Sequence, residues 1–160
     1  MTQKLLLTLV MLFAAFSISA KDDKVEPLTY EIEGAGTGVQ GTYLVKVTVI
    51  SKKSKITEDL IARCAVHGVL FRGFSNKELR QHQKPLAGSA MAEAKHADFF
   101  KDFFKEKGIA RNYVASVNSS RQVVKSGKEY KISTIVTVNK EALHKDLETA
   151  GIIKGLNSGF

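Results

Sequence analysis

The chain has 160 residues, with 24 lysines and arginines against 16 acidic residues and a formal net charge of +8 at pH 7. Its single cysteine, Cys64, excludes an intrachain disulfide, so the fold must be stabilised by an apolar core rather than by covalent staples. The positive charge predicts salt-sensitive attraction to anionic surfaces, although an excess of lysine also serves solubility.

The first 20 residues have the pattern of a secretory signal peptide. Lys4 is followed by an apolar run from Leu5 to Phe16 and then by SISA, which ends at the expected cleavage site after Ala20. This run is shorter than a transmembrane helix requires, and no other segment of the sequence is long and apolar enough. We therefore expect an exported protein, periplasmic or secreted, without a transmembrane segment, so that any membrane contact would be peripheral.

Export divides the chain into three parts and restricts its partners. We expect a signal peptide over residues 1–20, a flexible leader over residues 21–27 and a single domain over residues 28–160. Removing the first 20 of the 160 residues leaves 140, enough for one domain with one core. Nucleic acid is not an expected partner of an exported protein, whereas an anionic envelope component or an acidic protein is.

Two strands are predicted at the start of the domain. Residues 28–33 alternate, with Leu28, Tyr30 and Ile32 on one side, and residues 42–50 place Tyr43, Val45, Val47 and Val49 on one side. The glycine-rich residues 34–41 between them contain the pattern G-x-G-x-x-G. In a dinucleotide site this pattern opens a helix, but here a strand follows, so we interpret it as a turn.

The segment Ile56–Phe74, ITEDLIARCAVHGVLFRGF, is predicted to be a largely buried helix with Thr57 as its N-cap. Its strongly polar side chains after the first turn are Arg63, His67 and Arg72. Two interpretations of Gly68 are open: it either ends a short helix that is followed by a strand, or it is a close-packing point within one long helix, which we favour. Cys64 lies on the apolar stripe, as a core residue would.

The sequence pattern of the second half of the chain predicts a loop, two helices and a hairpin. Residues 75–88 are polar and cationic and are interpreted as a long loop, and residues 90–107 as a helix ended by Gly108, with an apolar face of Ala94, Ala97, Phe100, Phe103 and Phe104. Residues 113–124 and 129–138 predict two strands joined at Ser126-Gly127-Lys128. Asn139 is the expected N-cap of a last helix over residues 140–150, and the tail after it carries Ile152, Ile153, Leu156 and Phe160.

The order strand, strand, helix, helix, strand, strand, helix predicts the fold class. Because consecutive strands favour antiparallel pairing, we expect an α+β fold: a two-layer sandwich of a four-stranded, mainly antiparallel sheet with helices on one face.

The sequence predicts a binding surface rather than a catalytic site. The four histidines are scattered without the spacing of metal ligands, and no catalytic, cofactor-binding or metal site is predicted. We expect a non-enzymatic binding or assembly protein that contacts its anionic partner through a basic surface containing Lys52, Lys53, Lys55, Lys77, Arg80 and Lys84. The alternative is a small secreted hydrolase with a composite pocket, which would require a deep cleft holding at least two convergent polar side chains with shifted pKa values.

Four segments carry a resemblance to known proteins: YEIEGAGTG, AVHGVLFRGF, QKPLAG and TVNKEALHKDLETAGI. Together they resemble small uncharacterised exported proteins of gut Bacteroidetes. The glycine turn after a strand, the Ala-rich helix and the closing strand-to-helix step are also similar to the envelope domains of flagellar assembly protein T and to small bacterial lipoproteins. The resemblance implies a role in the bacterial cell envelope without catalysis, and it assigns no functional residues.

Overall fold

The computed structural model describes residues 27–77 and 79–154. The strands are β1 (Tyr30–Gly34), β2 (Thr42–Ser51), β3 (Phe74–Asn76), β4 (Gln81–Gln83), β5 (Val114–Val117), β6 (Gln122–Ser126) and β7 (Glu129–Asn139). The helices are α1 (Glu58–His67), α2 (Met91–Lys95), α3 (Ala97–Phe103) and α4 (Lys140–Thr149), with a π-helical turn at Gly68–Arg72 and a 3-10 helix at Ile109–Tyr113. The predicted signal peptide and most of the leader lie outside the described residues.

The main sheet is antiparallel and has the order β1-β2-β7-β5, with β6 also paired to β7. The register aligns Tyr30 with Val49, and Val49 with Ile132, so the predicted apolar sides of these strands form one buried face. Helix α1 packs against β2, β5 and β7, and α4 packs against β2. The predicted α+β class is therefore confirmed, and the first two strands and the glycine turn between them lie where the alternation placed them.

The sheet has five strands instead of the predicted four because one predicted strand is interrupted. Residues 113–124 divide into β5 and β6, which pair with successive parts of the same edge of β7. At the interruption, the buried hydroxyl of Thr134 donates to the carbonyl oxygens of Asn118, at 2.8 Å, and Ser120, at 3.4 Å. A buried hydroxyl requires such partners, so the edge leaves the regular ladder to supply them.

The central helix continues past Gly68, as the favoured interpretation predicted. Gly68 has helical dihedral angles (φ −62°, ψ −45°). The helix then widens into the π-helical turn and ends at Gly73, where φ is +67°. A Cβ atom on Gly68 would lie 2.6 Å from Cδ1 of Ile32 and 3.1 Å from Cε2 of Tyr30. Glycine therefore lets the helix approach β1 closely without displacing these two side chains.

The helix predicted over residues 90–107 is wrong in its extent. The chain bends at His96 (φ −121°), which separates α2 from α3, and α3 ends at Phe103, well before Gly108. Two contacts with α1 hold the following turn: Arg63 Nη1 donates to the carbonyl oxygen of Phe104 at 3.3 Å, and the backbone N–H of Lys107 donates to Asp59 at 3.2 Å. These tertiary hydrogen bonds replace the ones that a longer helix would make.

The polar stretch over residues 75–88, predicted to be a long loop, contains a short pair of strands. It completes the β3–β4 hairpin, with Ser75 opposite His82. The chain then returns to the π-helical turn, where the backbone N–H groups of Leu86 and Ala87 donate to the carbonyl oxygens of Val69 and Leu70, both at 3.0 Å. A widened turn leaves carbonyl groups without their regular helical partners, and this return segment satisfies them.

The predicted local signals are confirmed at two helix starts and at the second hairpin. Thr57 Oγ1 accepts from the N–H of Leu60 at 3.1 Å, and Asn139 Oδ1 accepts from the N–H of Ala142 at 3.0 Å. Strands β6 and β7 form the predicted hairpin. Ile152 and Ile153 pack against the core, whereas Leu156 and Phe160 lie outside the described residues.

The core lies between the sheet and the helices and contains an aromatic cluster. Phe71, Phe100, Phe103 and Phe104 are buried, with ring centroids of Phe71 and Phe100 4.9 Å apart and those of Phe103 and Phe104 also 4.9 Å apart. The ring of His67 packs against this cluster, 5.0 Å from Phe71. Over the described part of the chain, none of the helices has the length and apolar character needed to cross a membrane.

Candidate functional site

An open cleft of about 720 Å³ lies between the chain entering β1 and the helices α2 and α3. Pro27 and Leu28 line the cleft, together with the edge of the aromatic cluster at Phe100 and Phe104. Three alanines from the two helices and the residue before them also line it: Ala90, Ala94 and Ala97. The volume falls within the range of about 300–1,000 Å³ that is usual for small-ligand sites.

The alanines explain why this space is open. Ala94 and Ala97 were predicted on the core-facing side of one helix, but both are exposed and border the cleft. The chain bends at His96, between these two alanines, and their methyl groups add little side-chain volume to the cleft. A larger apolar residue at either alanine would reduce the cleft.

A chain of hydrogen bonds leads from β1 into the cleft. The hydroxyl of Tyr30 lies 2.6 Å from Nδ1 of His67, and Nε2 of His67 lies 3.1 Å from Oε1 of Glu93. With a neutral imidazole, these partners assign the proton to Nε2, which donates to the Glu93 carboxylate, and Nδ1 accepts from the Tyr30 hydroxyl. All three polar groups are then satisfied by one tautomer.

Burial shifts the pKa values of two members of this hydrogen-bonded series, His67 and Tyr30. Burial lowers the pKa of His67 below its usual 6.5, and Arg72 lowers it further, whereas the charge and hydrogen bond of Glu93 oppose the shift. Burial also raises the pKa of Tyr30, against the opposing effect of Arg72. At neutral pH the imidazole is therefore uncharged and the phenol protonated, which is the state that the hydrogen-bond pattern requires.

Arg72 is exposed at the cleft but is held in one position. Its Nη1 donates to the backbone carbonyl oxygen of Tyr30 at 2.8 Å, and its guanidinium carbon lies 4.2 Å from the centroid of the Tyr30 ring. The Tyr30 ring is itself buried and bonded to His67. A guanidinium fixed in this way presents its remaining N–H donors to an incoming anion with little loss of side-chain freedom.

The polar side chains that border the cleft have a net positive charge. Arg72 and Lys101 are cationic, Glu93 is anionic, and His67 is neutral. One unit of positive charge is therefore left uncompensated within the lining, next to apolar walls. The cleft is chemically suited to a ligand that combines an anionic group with an apolar part.

Two other polar features within the core are structural. Asp59 and Arg63 form a buried ion pair, with Oδ2 and Nε 2.9 Å apart. Cys64 is fully buried, and burial raises the pKa of its thiol to about 12, so it packs as a core residue. In residues 27–77 and 79–154, no three His, Cys, Asp or Glu side chains come together as ligands for a metal ion.

The six cations predicted to form the basic surface are all exposed, but they lie in two groups. Lys52, Lys53 and Lys55 lie between β2 and α1, and Lys77, Arg80 and Lys84 lie in and after the β3–β4 hairpin. The two groups lie near opposite ends of β2. Asn76, next to Lys77, packs on Gly34, and Gly34 pairs with Val45 near the start of β2. Lys52 follows the end of that strand. At 3.3 Å per residue along β2, about 20 Å separates the two groups.

Sequence reasoning missed the residues that the fold brings together at the cleft. Tyr30, Arg72, Glu93 and Lys101 come from four separate elements, and His67 was expected only to be a buried, hydrogen-bonded residue. A signal was present: His67 and Arg72 interrupt an otherwise apolar segment, and polar groups in such a position need partners. The partners themselves are distant in sequence and had no local signature.

Comparisons with protein-family models, curated proteins and solved structures find no match to this chain. The resemblance to exported Bacteroidetes proteins and to the envelope domains of flagellar assembly protein T therefore stays a prediction. The fold and the site define the chain as a two-layer α+β protein with an open, partly apolar cleft.

Proposed function

We propose that the protein is an exported, non-enzymatic binding protein of the bacterial cell envelope that holds an anionic group of its partner in the cleft. The observation that carries this proposal is Arg72, an exposed guanidinium fixed by two contacts with Tyr30 at the edge of an apolar cleft. Export and the envelope role rest on the sequence of the first 20 residues and on the resemblance, and the binding role rests on the cleft.

Fixing a cation before its ligand arrives favours binding. A long side chain that is ordered only on association loses about 0.5–1.5 kcal/mol of rotamer freedom, and Arg72 avoids most of this loss because Tyr30 already orders it. Lys101 adds a second cation from α3, exposed and on a flexible four-carbon stem. The cleft therefore has one anchoring donor group and one that can adjust to the ligand.

The two outer groups of lysines and arginines have a different role in this proposal. All six side chains are exposed, and they raise the rate at which an anionic partner approaches rather than fix its position. The interaction should therefore weaken as salt is raised. Specificity would come from the cleft, where an anion meets Arg72 next to an apolar wall.

The test is a pull-down from envelope extract with the tagged protein lacking residues 1–20, at low and at raised salt, with the retained species identified by mass spectrometry. We expect the wild-type protein to retain an anionic species at low salt and to lose it at raised salt. The Lys101→Gln and Arg72→Gln variants should fail to retain this species even at low salt. The matched control is Lys95→Gln, which removes the same charge from the exposed end of α2 outside this cleft. Charge reversal at Lys77, Arg80 and Lys84 should reduce retention.

Two outcomes would contradict the proposal. Equal retention by wild-type protein and the Arg72→Gln and Lys101→Gln variants would remove the cleft as the binding site. Unchanged binding after reversal of Lys77, Arg80 and Lys84 would remove the contribution of the predicted basic surface at the hairpin.

A small secreted hydrolase is the second candidate, and the Glu93–His67–Tyr30 chain is the observation in its favour. This arrangement has the convergent polar side chains and the shifted pKa values that the alternative required, at a cleft that is open rather than deep. To act as a general base toward water, His67 would first have to release Tyr30 from Nδ1. Hydrolysis of a panel of ester and amide substrates that is abolished in His67→Gln would favour this candidate over binding alone.

A further inference from the structure

We propose that the ligand of the cleft is a fatty acid, bound by its carboxylate at Arg72 and Lys101 with its single acyl chain along the alanine-lined wall. This inference rests on the proposed binding function and names the chemical class of the ligand. It follows from three features of the described residues: the apolar character of the walls, the net charge of the lining and the fixed geometry of the guanidinium.

The walls match an unbranched apolar chain. Ala90, Ala94 and Ala97 contribute only methyl groups to the lining, and Pro27 and Leu28 line the same cleft. A surface of small residues lets a narrow chain approach along its length. Phe100 and Phe104 at the floor add apolar contact area.

The charge of the lining matches a monoanion. Arg72 and Lys101 contribute two positive charges, Glu93 contributes one negative charge, and His67 is neutral. A carboxylate compensates the remaining single charge, whereas a dianionic phosphate ester would leave one negative charge uncompensated beside apolar walls. The charge balance therefore favours a fatty acid over a lipid that carries a phosphate monoester, and the planar guanidinium distinguishes a carboxylate from a monoanionic phosphodiester by shape alone.

The geometry at Arg72 matches a carboxylate. Its Nη1 is already engaged with the carbonyl oxygen of Tyr30, and the plane of the guanidinium is fixed over the Tyr30 ring. The remaining N–H donors of a planar guanidinium pair with the two oxygens of a carboxylate. Oε1 of Glu93 is already hydrogen-bonded to His67, so this bond does not engage the N–H donors of Arg72.

The experiment is isothermal titration of the protein lacking residues 1–20 with decanoate, dodecanoate and tetradecanoate below their micelle concentrations, with dodecanol and acetate as probes of the two halves of the ligand. We expect saturable binding that strengthens about fourfold for each methylene group that enters the cleft. Dodecanol, which lacks the charge, should bind at least about tenfold more weakly than dodecanoate, and acetate should show no binding.

Three variants distinguish the contribution of the cations to binding from the contribution of the apolar walls. Lys101→Gln and Arg72→Gln should weaken dodecanoate but leave dodecanol unchanged. Ala94→Leu should weaken both, because it fills the cleft with a residue that helices tolerate. The control for that substitution is Ala150→Leu, a similarly exposed alanine at the end of α4, which should change neither. Lys101 is exposed and keeps the test valid if Arg72→Gln disturbs the fold.

Several results would overturn the inference. Equal affinity for dodecanoate and dodecanol would show that the cations do not bind the ligand, and equal affinity for acetate and dodecanoate would show that the walls do not. Unchanged dodecanoate binding in Ala94→Leu would place any site elsewhere. If an envelope species is retained through Arg72 and dodecanoate does not displace it, the fatty-acid ligand is wrong while the binding function stands.

Discussion

Removing the carboxylate of Asp59 should destabilise the protein strongly, because this group connects three parts of the chain. Its Oδ2 pairs with Nε of Arg63 at 2.9 Å, and its Oδ1 accepts the backbone N–H of Lys107 at 3.2 Å. Arg63 in turn donates to the carbonyl oxygen of Phe104 at 3.3 Å. In Asp59→Ala, the buried guanidinium of Arg63 and the N–H of Lys107 both lose a partner.

The expected loss is about 3 kcal/mol of unfolding free energy, the lower end of the range for breaking a buried ion pair. The lower end applies because Arg63 keeps its hydrogen bond to Phe104 and its side chain is 11% exposed. Since small domains have only about 5–15 kcal/mol of stability in total, this loss is easily measured.

The assay is equilibrium unfolding in urea followed by far-UV circular dichroism, which suits a chain without tryptophan. The matched control is Glu58→Ala, which removes the neighbouring charge from the same first turn of α1. Glu58 is more than half exposed and lies 3.7 Å from Arg121 and 3.8 Å from Arg111, so its removal should lose less than about 1 kcal/mol. Replacing Arg63 by Met in the Asp59→Ala background should restore part of the stability. If Asp59→Ala loses no more than Glu58→Ala, the reasoning is refuted.

Three further predictions use the same assay. Burial lowers the pKa of His67 below 6.5, so the unfolded chain takes up a proton at a higher pH than the folded protein does. The unfolding free energy should therefore fall as pH decreases below about 6.5, and it should fall less in His67→Gln. An equal pH dependence in the variant would contradict the neutral imidazole. Gly68→Ala should be destabilising, because the new Cβ atom would lie 2.6 Å from Ile32 and 3.1 Å from the fixed ring of Tyr30, which outweighs the gain of about 1 kcal/mol in helix propensity. Ile32→Val should reduce that loss, and a Gly68→Ala variant more stable than wild type would refute the close packing. Asn139→Ala should lose about 1 kcal/mol by removing the cap of α4, and Asn139→Ser should retain most of it; equal losses would argue against the cap.

The sequence predicted those elements whose signals are local. The alternation of Val45, Val47 and Val49 specified β2 and its buried face, because a strand turns successive side chains to opposite sides. Thr57 and Asn139 specified helix starts, because a cap is a hydrogen bond across three residues. These interactions depend on neighbours in the chain, so a reading of the sequence contains them.

The elements that were missed depend on contacts between distant residues. The early end of α3 accompanies two hydrogen bonds to another helix, from Arg63 to Phe104 and from Lys107 to Asp59. The division of the edge strand follows from the hydroxyl of Thr134 on its neighbour. In each case a buried polar group found its partner across the fold, and that choice overrode the local periodicity.

The sequence by itself therefore determined the α+β class, the central buried helix and the positive charge, since each follows from composition and from spacing over a few residues. Only the tertiary structure decided that Tyr30, His67 and Glu93 form one hydrogen-bonded chain, whose successive members differ by 37 and 26 in residue number. It also decided that Ala94 and Ala97 face an open cleft rather than the core. The physical reason is that hydrogen-bond partners and cavity walls are set by how helices and strands pack, and packing brings together residues that share no local pattern.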